Sequence, residues 1–157
     1  MILGQSTGLA LITNIMKTNF QGESKRSGDS FENIVEQSIK KDATIVQKNF
    51  YIDEAGCEVD FVINQNNKII YVECKGGETG NAKRPGAQRT DNVKKAIANG
   101  ALIKSVMPDS IYVVYFSAPP TAGSSSDKML QLALSQSFID EIVFLSDTKI
   151  AKPPTLW

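Results

Sequence analysis

The chain has 157 residues, with 17 basic and 17 acidic side chains and no histidine. That length fits one domain over residues 1–157, and the balanced charge gives no overall pull toward a polyanion, so any such site must arise by local segregation. The missing histidine excludes His-based triads, His-ligated zinc and nucleases that use a histidine base. Cys57 and Cys74 lack the CxxC spacing of a zinc or redox site and read as buried free thiols of an intracellular protein. The N-terminal residues carry no basic, apolar leader, and nothing approaches the roughly 20 apolar residues of a membrane span. A soluble, cytoplasmic chain without membrane contact is expected.

An N-terminal extension, 1–28, comes first. Within it Leu9, Ile12, Ile15, Met16 and Phe20 recur at helical spacing over Thr7 to Phe20, and Gln21 to Asp29 reads as a polar linker. A second helix is predicted from Ser30 to about Lys41, burying Phe31, Ile34, Val35 and Ile39, with Asp29 or Ser30 as N-cap. Three strands follow at Thr44–Ile52, Cys57–Ile63 and Lys68–Lys75. Asn66-Asn67 is a candidate two-residue hairpin turn, because asparagine tolerates positive φ. That turn sets Asp60 opposite Glu73 and Glu58 opposite Lys75. After the glycine-rich Gly76 to Gly86, a helix is expected from about Gln88 to Asn99, with Gly100 as its stop. A strongly apolar strand, Ile111 to Ser117, precedes a loop from Ala118 to Ser126. A helix from Lys128 to Gln136 and a strand from Ile142 to Ser146 complete the pattern, with an irregular tail beyond Ile150. The expected fold is α/β, a mixed central sheet flanked by helices.

The chemistry concentrates in Gly56 to Gly77, GCEVDFVINQNNKIIYVECKGG. Residues two apart share a strand face. Glu58 and Asp60 are therefore expected on one face of the second strand, with Val59, Phe61 and Ile63 on the other. Glu73 and Lys75 likewise share a face of the third. Pairing the strands brings Asp60, Glu73 and Lys75 together. Two carboxylates on adjacent strands form a half-shell suited to Mg²⁺, which takes oxygen ligands and keeps water and phosphate for the rest. Such an ion would activate a bound water and neutralise charge building on a phosphate. Lys75 is placed to orient that water, to stabilise the transition state, or to act as base if burial lowers its pKa. The plainer alternative is a cross-strand ion-pair ladder, worth roughly 0.2–1 kcal/mol per pair. Its position at the end of an apolar strand, just before a glycine-rich loop, favours catalysis.

This stretch resembles the PD-(D/E)XK nuclease superfamily, the restriction-endonuclease-like fold. Asp60 matches the family aspartate, Glu73-Cys74-Lys75 its (D/E)XK triplet, and Glu32 the glutamate that many members carry on the preceding helix. The resemblance spans about Gly28 to Phe116. It implies an αβββαβ core, Mg²⁺-dependent phosphodiester hydrolysis with Mn²⁺ able to substitute, and 5′-phosphate and 3′-hydroxyl ends. It also implies that the main-chain carbonyl of Cys74 is a further metal ligand. The proline of the family name is absent, since Val59 precedes Asp60. Gln88 is similar to a glutamine that some exonuclease relatives place on the next helix, but their tyrosine four residues on is Asn92 here. For Glu32 a structural alternative stands beside the catalytic one: at N3 of its helix it would complete a capping box.

Positive charge gathers after the triplet. From Lys75 to Lys104 there are seven basic side chains against only Glu78 and Asp91. Lys83, Arg84, Arg89, Lys94 and Lys95, with Gln88, are the residues expected to hold nucleic acid, since lysine and arginine supply most sequence-independent affinity. The leading expectation is a Mg²⁺-dependent DNA endonuclease, which would cut both strands as a homodimer. The alternative is a catalytically silent nucleic-acid-binding module of the same fold. RNA ranks last, for want of an aromatic strand motif.

Overall fold

The computed structural model describes residues 31–76 and 84–145. The expected helix over 7–20, the linker, Lys83 and the tail lie outside them. Within them the elements are α1 (Phe31–Ile39), β1 (Thr44–Ile52), β2 (Cys57–Gln65), β3 (Lys68–Lys75), a 3₁₀ turn (Gly86–Gln88), α2 (Thr90–Val106), β4 (Ile111–Phe116), α3 (Ser125–Ser135) and β5 (Glu141–Phe144). The strands form one sheet in the order β1-β2-β3-β4-β5. The first two pairings are antiparallel and the last two parallel. The fold is therefore α/β with a mixed five-stranded sheet.

Each junction follows from local sequence. Asn66 and Asn67 both adopt positive φ, 52° and 62°, so β2 and β3 join through a two-residue turn with Gln65 opposite Lys68. The parallel pairs need helical crossovers, and α2 and α3 supply them. Ser124 caps α3, its hydroxyl accepting the Asp127 N–H. One apolar layer, including Val62, Val93, Ala96, Ile103, Tyr112, Val114, Phe116, Leu130 and Phe144, unites one sheet face with α2 and α3. A second joins Val35 and Ile39 of α1 to Phe61, Ile63, Ile70, Val72, Val113 and Tyr115 on the opposite face.

Two expectations are corrected. Val59 does not face with Phe61 and Ile63: it packs in the α2/α3 layer together with Ile52 and Cys57. The β1–β2 hairpin bends where Asn49 takes a positive φ of 49° in the strand opposite, between the pairs Lys48↔Phe61 and Phe50↔Val59. That bend folds the hairpin tip onto one layer and breaks simple alternation. Nor does Gly100 end a helix at Asn99. α2 continues to Val106, and Gly100 is buried inside it, where a Cβ would run into the carbonyl oxygen of Phe138 and lie 2.9 Å from the Tyr112 ring. Here glycine serves close packing rather than a left-handed cap.

Glu141, at the start of β5, is largely buried, and desolvation pushes its carboxyl from the usual 4.5 up to about 7. The folded chain then holds this proton more tightly than the unfolded one. The associated stability is complete below the unfolded value and is lost as pH rises through about 7. Glu141→Gln is expected to stabilise the protein by about 2 kcal/mol at pH 8, discounted for residual hydration, and to change nothing near pH 4. Urea midpoints at the two pH values measure the difference.

Candidate active site

The ladder between β2 and β3 runs from Gln65↔Lys68 to Phe61↔Val72 and stops there. Beyond it the bent hairpin carries β2 away, so Glu58 pairs with Tyr51 of β1 rather than standing across from Lys75. Asp60, the first residue past the ladder, uses its side chain where a strand would use main chain: its Oδ2 accepts the Cys74 N–H at 2.5 Å. This fixes the carboxylate against β3. The N–H and C=O of one strand residue leave by the same edge, so the Cys74 carbonyl also belongs to the edge that meets Asp60.

On β3, Glu73 and Lys75 stand beside Val114 and Phe116 of β4, both members of the layer under α2 and α3. Glu73 is 3% exposed. Its Oε1 accepts from the Lys75 ammonium, while Oε2 is buried without a hydrogen-bond partner. Burial raises the Glu73 carboxyl, Lys75 opposes that shift, Asp60 adds to it, and the Asn99 amide on α2 lowers it again. No hydrogen bond of good geometry closes between Asn99 and Oε2, so this amide is a near neighbour and not a fixed partner. Asp60 is raised too, burial outweighing the Cys74 N–H and Lys75. Glu32, exposed in the first turn of α1, is raised chiefly by partial desolvation, then by Asp60, with Lys75 opposing and Glu58 reinforcing. Four charged groups from three elements therefore feel one another: Glu32 at the rim, Asp60 and Glu73 inside, Lys75 between them.

The structure thus joins Asp60 to Cys74 and Glu73 to Lys75, with Glu32 only within electrostatic reach of Asp60 and Lys75. The N-cap positions needed to judge a capping box at Glu32 lie outside the described residues. The basic set is more dispersed. Arg84, Lys94 and Lys95 are exposed and make no ion pair among the described residues. Arg89 pairs with Asp91, and Lys104 is tied to Asp140 at 2.7 Å. Gln88 lies in the 3₁₀ turn, and its side chain makes no hydrogen bond to the carboxylates among the described residues. Cys57 and Cys74 are buried free thiols. Asn99 is the site residue that sequence reasoning missed. A helix ending at Asn99 turns it into a terminus, and only its continuation past Gly100 reveals a side chain on a flank facing β3.

Among the described residues no three of Asp, Glu and Cys converge into a ready cation cage. A divalent ion here would be held by two carboxylates, with main chain and solvent completing its shell. That is the habit of Mg²⁺. The unpartnered Oε2 fits such a ligand, because a buried acceptor left unsatisfied costs roughly 1–3 kcal/mol.

A family described as a domain of unknown function (DUF4143) matches residues 27–120. This is more than half of the chain, which belongs to that family. The matched span contains Glu32, Asp60, Glu73, Lys75 and Asn99. No curated protein and no solved structure matches the chain. Among the described residues no helix is long and apolar enough to cross a membrane.

Proposed function

We propose that the chain is a divalent-metal-dependent deoxyribonuclease of the PD-(D/E)XK type, acting as an endonuclease. The observation that carries this reading is the buried, unpartnered Oε2 of Glu73, set on β3 beside Asp60 and Lys75. A salt-bridge ladder gives no reason to bury a carboxylate and leave half of it unmet. The helix, three antiparallel strands, helix and strand of α1 to β4 support the restriction-endonuclease-like core.

Asp60, Glu73 and the Cys74 carbonyl would hold Mg²⁺ or Mn²⁺, which supplies an activated water and charge neutralisation when bound. The chain's own groups do the rest. Lys75 opposes the upward push of burial on the Glu73 carboxyl and presents positive charge where the phosphate's negative charge grows. The Cys74 N–H orients Asp60. Glu32, at the rim and within electrostatic reach of Asp60 and Lys75, would accept a hydrogen bond from the attacking water. Exposed lysine and arginine side chains after β3 bind the DNA backbone, offsetting its repulsion by the acids. The products carry 5′-phosphate and 3′-hydroxyl ends. One centre per chain cuts one strand, so cleavage of both requires a second copy.

Supercoiled, linear and single-stranded DNA incubated with the purified chain in Mg²⁺ tests this. Nicked circles that form with Mg²⁺ or Mn²⁺ and cease with chelator are expected. DNA binding without cleavage in either metal would assign the chain instead to the silent nucleic-acid-binding class.

A further inference from the structure

The two adjacent lysines of α2 do not stand in equivalent places. Val93, Ala96, Gly100 and Ile103 form the buried stripe of this helix, which leaves two flanks. On one, the Asn92 side chain donates to the Gly86 carbonyl at 3.1 Å, and Asn99 lies beside the Glu73 carboxylate. This flank borders β3 and the candidate site. On the other, Ile97 packs in the core layer and Lys104 pairs with Asp140, between α3 and β5. Residues three and four apart share a helix flank. Lys95 stands three after Asn92 and four before Asn99, on the flank of the site. Lys94 stands three before Ile97, on the flank of α3. Both are exposed.

We propose that Lys95, and not Lys94, contacts a backbone phosphate next to the one being cleaved, through the α2 flank that carries Asn92 and Asn99. The inference rests on the nuclease reading and adds a direction to it: the DNA strand leaves the carboxylates along this flank. Lys95 lies one turn, about 5.4 Å, from Asn99. Its flexible four-carbon stem reaches beyond that to a phosphate one or two nucleotides from the bond under attack, at a rise of about 3.4 Å each. Lysine suits the role, since a point charge tolerates any base sequence.

Duplex binding by fluorescence anisotropy, in chelator and over a range of salt, provides the test. Lys95→Ala is expected to weaken binding about fivefold and to make the log K against log salt slope shallower by about 0.9, the loss of one phosphate contact. Lys94→Ala should produce less than half of that change. Lys128→Ala, an exposed charge on α3, should match the unmodified chain. In Mg²⁺, Lys95→Ala should raise KM for DNA and leave kcat within about twofold. Equal effects of Lys94→Ala and Lys95→Ala, or a Lys95→Ala slope matching Lys128→Ala, overturn this assignment and leave the nuclease reading standing. Failure of the unmodified chain to bind duplex at low salt overturns both.

Discussion

Asp60→Asn is expected to lower the rate of DNA cleavage by about 10²- to 10³-fold while leaving the protein folded, and Lys75→Ala to lower it comparably. The asparagine change separates chemistry from architecture. The Asp60 carboxylate holds the Cys74 N–H at 2.5 Å, and an amide oxygen of the same shape still accepts that bond, though without the assistance of charge. What asparagine removes is the negative charge that would bind a cation. Lys75→Ala acts differently. It takes the cation from Glu73, which burial already pushes toward its protonated form, and so favours a neutral carboxyl that is a poor metal ligand. Both variants therefore fail at the same step by different routes. Mn²⁺ affinity read by electron paramagnetic resonance should fall in both, with melting temperatures showing that the Asp60→Asn fold is kept.

Gly100→Ala carries the second large effect, on stability. By helix propensity alone, alanine inside α2 would stabilise the protein by about 1 kcal/mol over glycine. Packing decides otherwise. The new Cβ would run into the Phe138 carbonyl oxygen, a main-chain atom that cannot rotate aside, and would lie 2.9 Å from the Tyr112 ring, whose hydroxyl donates to the Ala96 carbonyl. Overpacking costs about 1–3 kcal/mol and occasionally more; a clash with main chain stands at the upper end, so a net loss near 2 kcal/mol is expected in urea unfolding. A gain in stability would show that α2 does not seat as described. The change also levers Asn99 away from Glu73, so the remaining folded molecules should cleave more slowly.

Much of this was legible in the chain because the decisive signals are local. Asn66-Asn67 sets the β2–β3 register through its two positive φ angles, and that register brings Asp60 to the end of the ladder beside Glu73. The β3 limits, Lys68–Lys75, follow directly from the apolar run. What escaped depends on distant packing. Nothing around Val59 announces that the hairpin bends at Asn49, so its layer could not be read from alternation. Gly100 looks like a helix stop until Phe138 and Tyr112, brought in by other elements, show why it is small. Asn99 was hidden by the same misreading, and the unequal flanks of Lys94 and Lys95 appear only once the buried stripe of α2 is known.

The most direct measurement is cleavage of supercoiled plasmid by the purified chain in Mg²⁺, run beside Asp60→Asn and beside a chelator control, with the new ends assigned by phosphatase and ligase treatment. Nicked circles bearing 5′-phosphates, forming at least about a hundredfold more slowly in the variant and absent in chelator, are the predicted result. Intact plasmid in every metal, or nicking that persists undiminished in Asp60→Asn, would contradict a hydrolytic centre at Asp60, Glu73 and Lys75.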